Sequence, residues 1–327
     1  MTPHMAGKQS LTSDVLALDE AAEIERIAAW MRDVVPSSLR RRGVVVAMSG
    51  GIDSSCCAAL AVRAFGPSRV FGLLLPERDS SAPSTALGRE LVAHLGIAHA
   101  EINLTTALDA LGAYRDRDAA MARAIPGYGE GWRSKIVLTG SLEGGINHFR
   151  LVAHSPDGAA HDVRLGTREY LEIVAATNHK QRLRKAMEYH YADRLHYAVI
   201  GTPNRLEYDQ GFFVKNGDGA ADLKPIAHLY KTQVYALARA MGLPESLCTT
   251  TPTTDTYSLA QGQDEFYFAL PYAQMDLALW SHENSRSAAD LAAGLHRTET
   301  QAQAIYTDIE AKRRVAQYLH ATALTLR

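Results

Sequence analysis

Cysteine is scarce in this chain of 327 residues: there are three, and two of them, Cys56 and Cys57, are neighbours. Adjacent cysteines are poorly placed to bridge each other, so no disulfide framework can be drawn, and a reducing cytoplasm is the expected location. A basic excess is also lacking. With 34 Lys and Arg against 36 Asp and Glu, the formal net charge is −2, whereas proteins that grip nucleic acid by its phosphates normally carry a strong positive balance. Nucleic acid is therefore not an expected partner. No apolar run reaches membrane-spanning length, and the opening MTPHMAGKQS lacks the apolar centre of a signal peptide, so no membrane association is expected either. Low complexity and internal repeats are absent.

What remains is ample material for a core. Apolar residues make up 46% of the chain, and the length allows one large domain with appendages or two modest ones. After a polar tail over about 1–18, Ile24, Ile27, Ala28, Met31 and Val35 recur at helical spacing, predicting a helix over 19–35 that Pro36 ends. GVVVAM (43–48), RVFGLLLP (69–76) and IAHAEINL (97–104) read as buried strands separated by helices over 53–65 and 84–95. Alternating strands and helices predict an α/β fold, a doubly wound parallel sheet with helices on both faces. The pattern changes over 112–177. There, FRLVAHSPDGAAHDVRL alternates apolar and polar residues about a Pro-Asp-Gly turn, predicting an inserted β-hairpin. Helical periodicity resumes at Thr177 and leads into a fourth strand, YAVIG (197–201). A further helix, KTQVYALARAMG, follows, and the chain closes in a helical extension over 276–327.

The first strand runs into S-G-G-I-D-S, from Ser49 to Ser54. A strand-to-helix turn presents unpaired N–H groups and the positive end of a helix dipole, a ready anion site. Gly50 and Gly51 let backbone approach a ligand closely, and Ser49, Ser54 and Ser55 offer hydroxyls. No lysine follows the glycines, so a phosphate loop of the kinase or GTPase type is excluded, and G-x-G-x-x-G, G-x-S-x-G, H-E-x-x-H and C-x-x-C are all missing. Asp53 inside such a loop would repel phosphate unless a cation such as Mg²⁺ stood between them; its alternative role is to cap the following helix.

S-G-G-I-D-S resembles the pyrophosphate-binding loop of the ATP pyrophosphatases. Three later blocks narrow the likeness. TNHKQRLRKAMEYHYA resembles the N-x-K-x-R-x-R helix of NAD synthetases. The segment beginning IGTPNRLEYDQGFFVKNGDGAAD is similar to their G-T-x-N-x-x-E block and its continuation into a lysine-bearing helix, and PTTD resembles the block after that. The likeness covers about 43–104 and 177–275. It implies an adenine nucleotide alpha hydrolase-like fold over 19–275 and an ATP site made of Ser49, Gly50, Gly51, Ile52, Asp53, Ser54, Ser55, Thr202, Lys231 and Thr253. It also implies catalytic roles for Asp53, Glu207 and Lys231, with Asp53 and Glu207 at Mg²⁺. Arg182, Lys215 and Asp222 fall where that family holds its dinucleotide acid, deamido-NAD, and Lys312 matches the lysine of a C-terminal His-Lys pair whose histidine is here Ala311. The implied reaction adenylates the acid with ATP and converts it to an amide with ammonia, either free or delivered by a separate protein, in a cytoplasmic homodimer. No covalent nucleophile is needed, so Cys56 and Cys57 read as small core residues.

The segment 112–177, with Tyr128, Trp132, Arg133, Lys135, His148 and Arg150, is longer than the family pattern. It reads either as a cover for the active site or as a surface hairpin or dimer contact. Phe266, Tyr267 and Phe268 form an aromatic cluster whose default role is packing. Because these departures concern the acid rather than ATP, an amide ligase acting on another carboxylate is the rival reading. A nucleotide-binding regulator and a tRNA-modifying enzyme stand further off.

Overall fold

The computed structural model describes residues 11–139, 148–250, 257–259, 267 and 270–326. The chain opens with α1 (Glu20–Ser37), β1 (Val44–Ala47), α2 (Ile52–Phe65), β2 (Val70–Leu74), α3 (Ala82–Leu95) and β3 (Ala98–Glu101). Two helices, α4 (Thr105–Ala110) and α5 (Ala113–Ala124), precede three strands, β4 (Arg133–Thr139), β5 (His148–His154) and β6 (Ala160–Arg164). A long helix, α6 (Thr167–Leu195), then leads into β7 (Ala198–Val199), α7 (Arg205–Gln210), α8 (Lys231–Ala240) and α9 (Glu245–Cys248). The chain finishes with α10 (Tyr272–Glu283), α11 (Ala288–Leu295) and α12 (Glu299–His320).

Strands β3, β2, β1 and β7 form one sheet in that order, every pair parallel. The unbroken valines of β1 are explained by burial on both faces. Val44 and Val46 join a core with α1, α2, α8 and α9, whereas Val45 joins Leu73, Leu108, Tyr114, Ala192 and Val199 on the side of α4, α5 and α6. Each fully buried aliphatic side chain contributes about 1.5–3 kcal/mol, so this double layer fixes the central strand firmly. The chain moves from β1 outward to β2 and β3, then returns to the other side of β1 as β7. The carboxyl end of β1 is thus a topological switch point, where open α/β sheets form their ligand crevice.

The segment expected as a hairpin holds a three-stranded antiparallel sheet, β4-β5-β6. The Pro-Asp-Gly turn does join two strands, and Gly158 N donates to Ser155 O at 2.9 Å. The additional strand, β4, pairs with β5 from Arg133 opposite His154 to Thr139 opposite His148. It buries Ser134 and Ile136 while Arg133 stays exposed, an alternation carried by too few apolar residues to stand out. Helix α6 begins at Thr167 rather than Thr177, because Ile173 and Tyr170 pack into the core beneath the inserted sheet and extend the helix by more than two turns.

At the N-terminus, Leu11 and Leu16 are buried against α10 and α11, so the stretch expected as a mobile tail is anchored from Leu11 onward. Pro36 lies in the last turn of α1, and the helix ends one residue later. Cys56, Cys57 and Cys248 are free and buried, and burial pushes the Cys56 and Cys57 thiols up, so they pack as apolar residues.

Candidate active site

The loop between β1 and α2 is built around one backbone requirement. Gly50 has φ +79°, and a Cβ placed on it would lie 2.2 Å from the Ser84 carbonyl oxygen at the start of α3. Only glycine fits there. Gly51, the N-cap of α2, supplies no side chain to cover the amides of the first turn, which leaves the helix N-terminus facing the crevice. The serines are arranged differently from a set of free donors. Ser54 and Ser55 are buried, and each hydroxyl donates to Gly51 O at 2.9 Å, tightening the turn from within. Ser49 Oγ accepts from Gly51 N at 3.2 Å.

Asp53 projects from the first turn of α2 toward α7 and α8. Lys231, the first residue of α8 and fully buried, donates from Nζ to Asp53 Oδ2. Asn204 Nδ2 donates to Asp53 Oδ1 at 3.2 Å. Asn204 is also the N-cap of α7, where it and Glu207 form a capping box: Glu207 N donates to Asn204 Oδ1, and Asn204 N to Glu207 Oε2, both at 3.2 Å. One asparagine therefore holds both carboxylates. Burial, and then the Asp53 carboxylate, push Glu207 up to about 8. Burial works against the charge on Lys231, but Asp53 and Glu207 together hold it above the ordinary lysine range. The cluster is a buried cation beside two acidic side chains, of which Asp53 bonds it directly.

A second buried carboxylate fixes Lys231 from behind. Asp276 of α10 accepts from Lys231 N at 3.2 Å and from Thr232 N at 2.8 Å, taking two amides that the first turn of α8 leaves unpaired. Burial raises Asp276 to about 6.

These groups open onto a cavity of about 560 Å³. It is bordered by the loop from Met48 to Ser54, by Leu73 to Pro76 at the end of β2, and by Thr202, Glu207 and Lys231. Along α6 it follows a single stripe, Tyr170, Val174, Thr177, Asn178, Gln181, Arg184, Lys185 and Glu188, the three-and-four spacing of one helix face. The loop after β2 is tied down by charge. Lys180 Nζ reaches Glu77 Oε1 at 3.0 Å and Asp79 Oδ2 at 2.6 Å, Arg117 also meets Asp79, and Tyr114 Oη donates to Glu77 Oε2 at 2.7 Å. All of these groups are buried.

Of the residues expected to bind ATP, Ser49, Gly50, Gly51, Ile52, Asp53, Ser54, Thr202 and Lys231 border the cavity, whereas Ser55 is buried and does not. Thr253 lies outside the described residues. None of the four residues expected to hold the acid borders the cavity. Arg182 is exposed and donates from Nε to Lys215 O at 3.2 Å. Lys215 Nζ donates to Tyr318 O and Ala321 O at 2.7 and 2.9 Å, closing the end of α12. Asp222 accepts from Val199 N at 2.8 Å and so braces β7. Lys312 is buried, its Nζ donating to Tyr267 O at 2.6 Å, and burial pulls it down against the opposing pull of Asp308.

In the inserted segment, Tyr128 bonds Ser134, Trp132 packs between Tyr128 and His161, His148 meets Thr139, Arg150 pairs with Asp162, and Arg133 donates to Ser258 O. None of these lines the cavity, and neither does Lys135. Phe149 does. Tyr267 borders it as well and donates to Gln210 O at 2.7 Å, while Phe266 and Phe268 lie outside the described residues. The sequence reading missed Asn204, Asp276 and Phe149. Only Asn204 carried a local signal, the N-x-x-E of a capping box.

The model of the NAD synthase family matches residues 23–124 and 157–316. The chain is 55% identical to the NH(3)-dependent NAD(+) synthetase of Mesorhizobium japonicum, over 95% of this chain and 98% of that protein. It is 53% identical to the same-named protein of Rhizobium meliloti, over 94% and 92%. Its backbone superposes on the NH3-dependent NAD synthetase from Campylobacter jejuni with a TM-score of 0.63 at 20% identity, over 95% of this chain and all of that one, a likeness of fold. The glycine loop, the asparagine-held carboxylates and the buried lysine thus stand within a chain that matches such relatives over about 95% of its length, and the protein belongs to the NAD synthase family.

Proposed function

We propose that the chain is an ATP-dependent ligase that forms a carbon–nitrogen bond, converting the carboxylate of deamido-NAD to the amide of NAD with ammonia. The supporting observation is the asparagine-centred cluster, in which Asp53, Glu207 and Lys231 converge beside a glycine loop at a helix N-terminus. High identity to proteins named as NH(3)-dependent NAD(+) synthetases supports the same activity.

In the first step a carboxylate oxygen attacks the α-phosphorus of ATP. The bond to the β,γ-pyrophosphate breaks, leaving an acyl adenylate. In the second, ammonia attacks the acyl carbon, AMP leaves with the bonding electrons, and the nitrogen gives up a proton. The chain's part is to hold charge. The amides of the α2 N-terminus receive the departing pyrophosphate, and Lys231 brings a fixed positive charge to the same place without reorganisation. Burial strengthens both effects because water is excluded.

Asp53 and Glu207 would hold Mg²⁺. Among the described residues no group of three or more His, Cys, Asp or Glu side chains is placed to hold a metal ion, and a pair of carboxylates completed by phosphate oxygens is how Mg²⁺ is usually bound. Glu207 is pushed up first by burial and then by the Asp53 carboxylate, a repulsion that a bound cation would relieve. When bound, the ion would offset charge growing on the transferred oxygens. Thr253, Arg182, Lys215, Asp222 and Lys312 retain their family-implied roles in this reading, the last four through a bound acid that extends beyond the cavity. A homodimer, a cytoplasmic location and a separate ammonia-supplying protein belong to the same reading. Among the described residues no helix is long and apolar enough to cross a membrane.

The test is turnover with ATP, Mg²⁺, deamido-NAD and ammonium chloride, following NAD by a coupled dehydrogenase and AMP by chromatography. Stoichiometric NAD and AMP are expected. AMP release with another acid but not with deamido-NAD would overturn the substrate.

A further inference from the structure

Phe149 belongs to a stretch, residues 125–156, that the family model passes over, yet it borders the cavity shared with the phosphate loop. It is half-buried on β5 and stacks on Tyr170 of α6, with ring centroids 4.0 Å apart and planes at 13°. On β5 it shares a face with Leu151 and Ala153 and packs against the core of the inserted sheet, while Arg150 on the opposite face is paired with Asp162.

Position along α6 says which part of a ligand this ring can meet. Arg184 donates to Leu75 O and Ser80 Oγ, both at 3.3 Å, and Leu75 lies two residues beyond the Leu73 that pairs with Ala47. The level of Arg184 on α6 is therefore the level of the phosphate loop. Tyr170 stands 14 residues nearer the helix start, roughly 21 Å along the axis at 1.5 Å per residue. The stacked pair therefore borders the cavity at the end of the α6 stripe remote from the glycine loop, and its rings bring apolar surface without charge.

We propose that Phe149, supplied by the inserted sheet, is a specificity-determining residue whose ring, backed by Tyr170, seats a planar heteroaromatic ring of a bound substrate. The two sources of such a ring are ATP and the dinucleotide acid. Aromatic faces bind such rings through stacking, which tolerates differences in ring identity but requires flatness on both sides. The inference rests on the ligase reading for its choice of ligands.

The test compares wild type with Phe149→Ala, Phe149→Leu and Phe149→Tyr. Affinities for ATP and for deamido-NAD are measured separately by calorimetry, alongside KM and kcat, with thermal melts to report folding. Loss of a stack is expected to weaken one of the two ligands about tenfold in Phe149→Ala and Phe149→Leu. Affinity for the other ligand and kcat should stay within about threefold, and Phe149→Tyr should restore binding. Weakened ATP assigns its adenine; weakened deamido-NAD assigns the acid. Phe149→Leu carries the test if the alanine variant fails to fold, since it keeps apolar volume and loses only the flat face. Unchanged affinity for both ligands, or a fall in kcat alone, would overturn the proposal. Calorimetry keeps this separate from the activity reading, which fails if wild type makes no NAD.

Discussion

Asn204 and Asp53, 151 positions apart in sequence, are joined by a 3.2 Å hydrogen bond from the asparagine amide to the aspartate carboxylate. The same Asn204 side chain caps α7 and so sets the position of Glu207. Asn204→Ala should lower unfolding stability by about 1 kcal/mol, the worth of a helix cap. Turnover should fall about 10–100-fold, the usual cost of losing a residue that orients the carboxylates of a site. Asn204→Asp should keep the cap but set a third carboxylate beside Asp53 and Glu207. Its melt should stay near wild type while its turnover falls as far as that of the alanine variant; equal turnover in wild type and Asn204→Ala would refute the role.

Gly50→Ala would set a methyl group 2.2 Å from the Ser84 carbonyl oxygen at φ +79°. Stability should fall by more than about 1 kcal/mol. ATP affinity should fall with it, because the loop moves when the clash is relieved. Denaturant melts and ATP titration calorimetry measure the two effects. Gly51→Ala, whose Cβ would meet only the Ser49 hydroxyl at 3.3 Å, should cost less stability.

Buried Asp276 makes the pH dependence of stability testable. Its folded value, about 6, lies above the ordinary aspartate value of 3.8, so between those two values the folded protein binds more protons at this site than the unfolded chain. Stability from this group is full at low pH and declines as pH rises through about 6. The advantage of wild type over Asp276→Asn in unfolding free energy should therefore shrink between pH 4 and 7, by an amount on the order of 3 kcal/mol. Urea melts at several pH values measure it, and an advantage that grows over this range would contradict the assignment.

Lys180 is buried between Glu77 and Asp79. Burial alone would raise Asp79, but Lys180 and Arg117 hold it below its ordinary range. Lys180→Met should cost about 3–5 kcal/mol by leaving buried carboxylates underpaired. The loop after β2 should exchange its amide hydrogens faster in that variant. Hydrogen exchange resolved by mass spectrometry would show it at residues 76–81.

Much of this architecture can be read without coordinates, and the gaps have physical causes. The valine run of β1 and the glycine pair after it are local signals, because burial on both faces and close backbone approach each demand particular residue types nearby in sequence. Asp276 leaves no such trace. Its role depends on α10 meeting α8, a tertiary contact, and nothing around it separates it from a surface acid. Strand β4 was hidden by polar residues on its open face. For Arg182, Lys215, Asp222 and Lys312, position in a shared motif indicates a role, but not which wall of the site each residue stands on; the structure sets all four to bracing backbone.

Helix α6 is continuous from Thr167 to Leu195, and that continuity has a consequence for how such an enzyme changes over time. One rigid rod touches the inserted sheet near its start and the central sheet near its end, so each neighbourhood can vary without disturbing the other. Swapping the inserted strands for those of a relative would re-shape the far recess and leave the bond-breaking apparatus intact, making α6 a natural seam for building ligases with altered appetite.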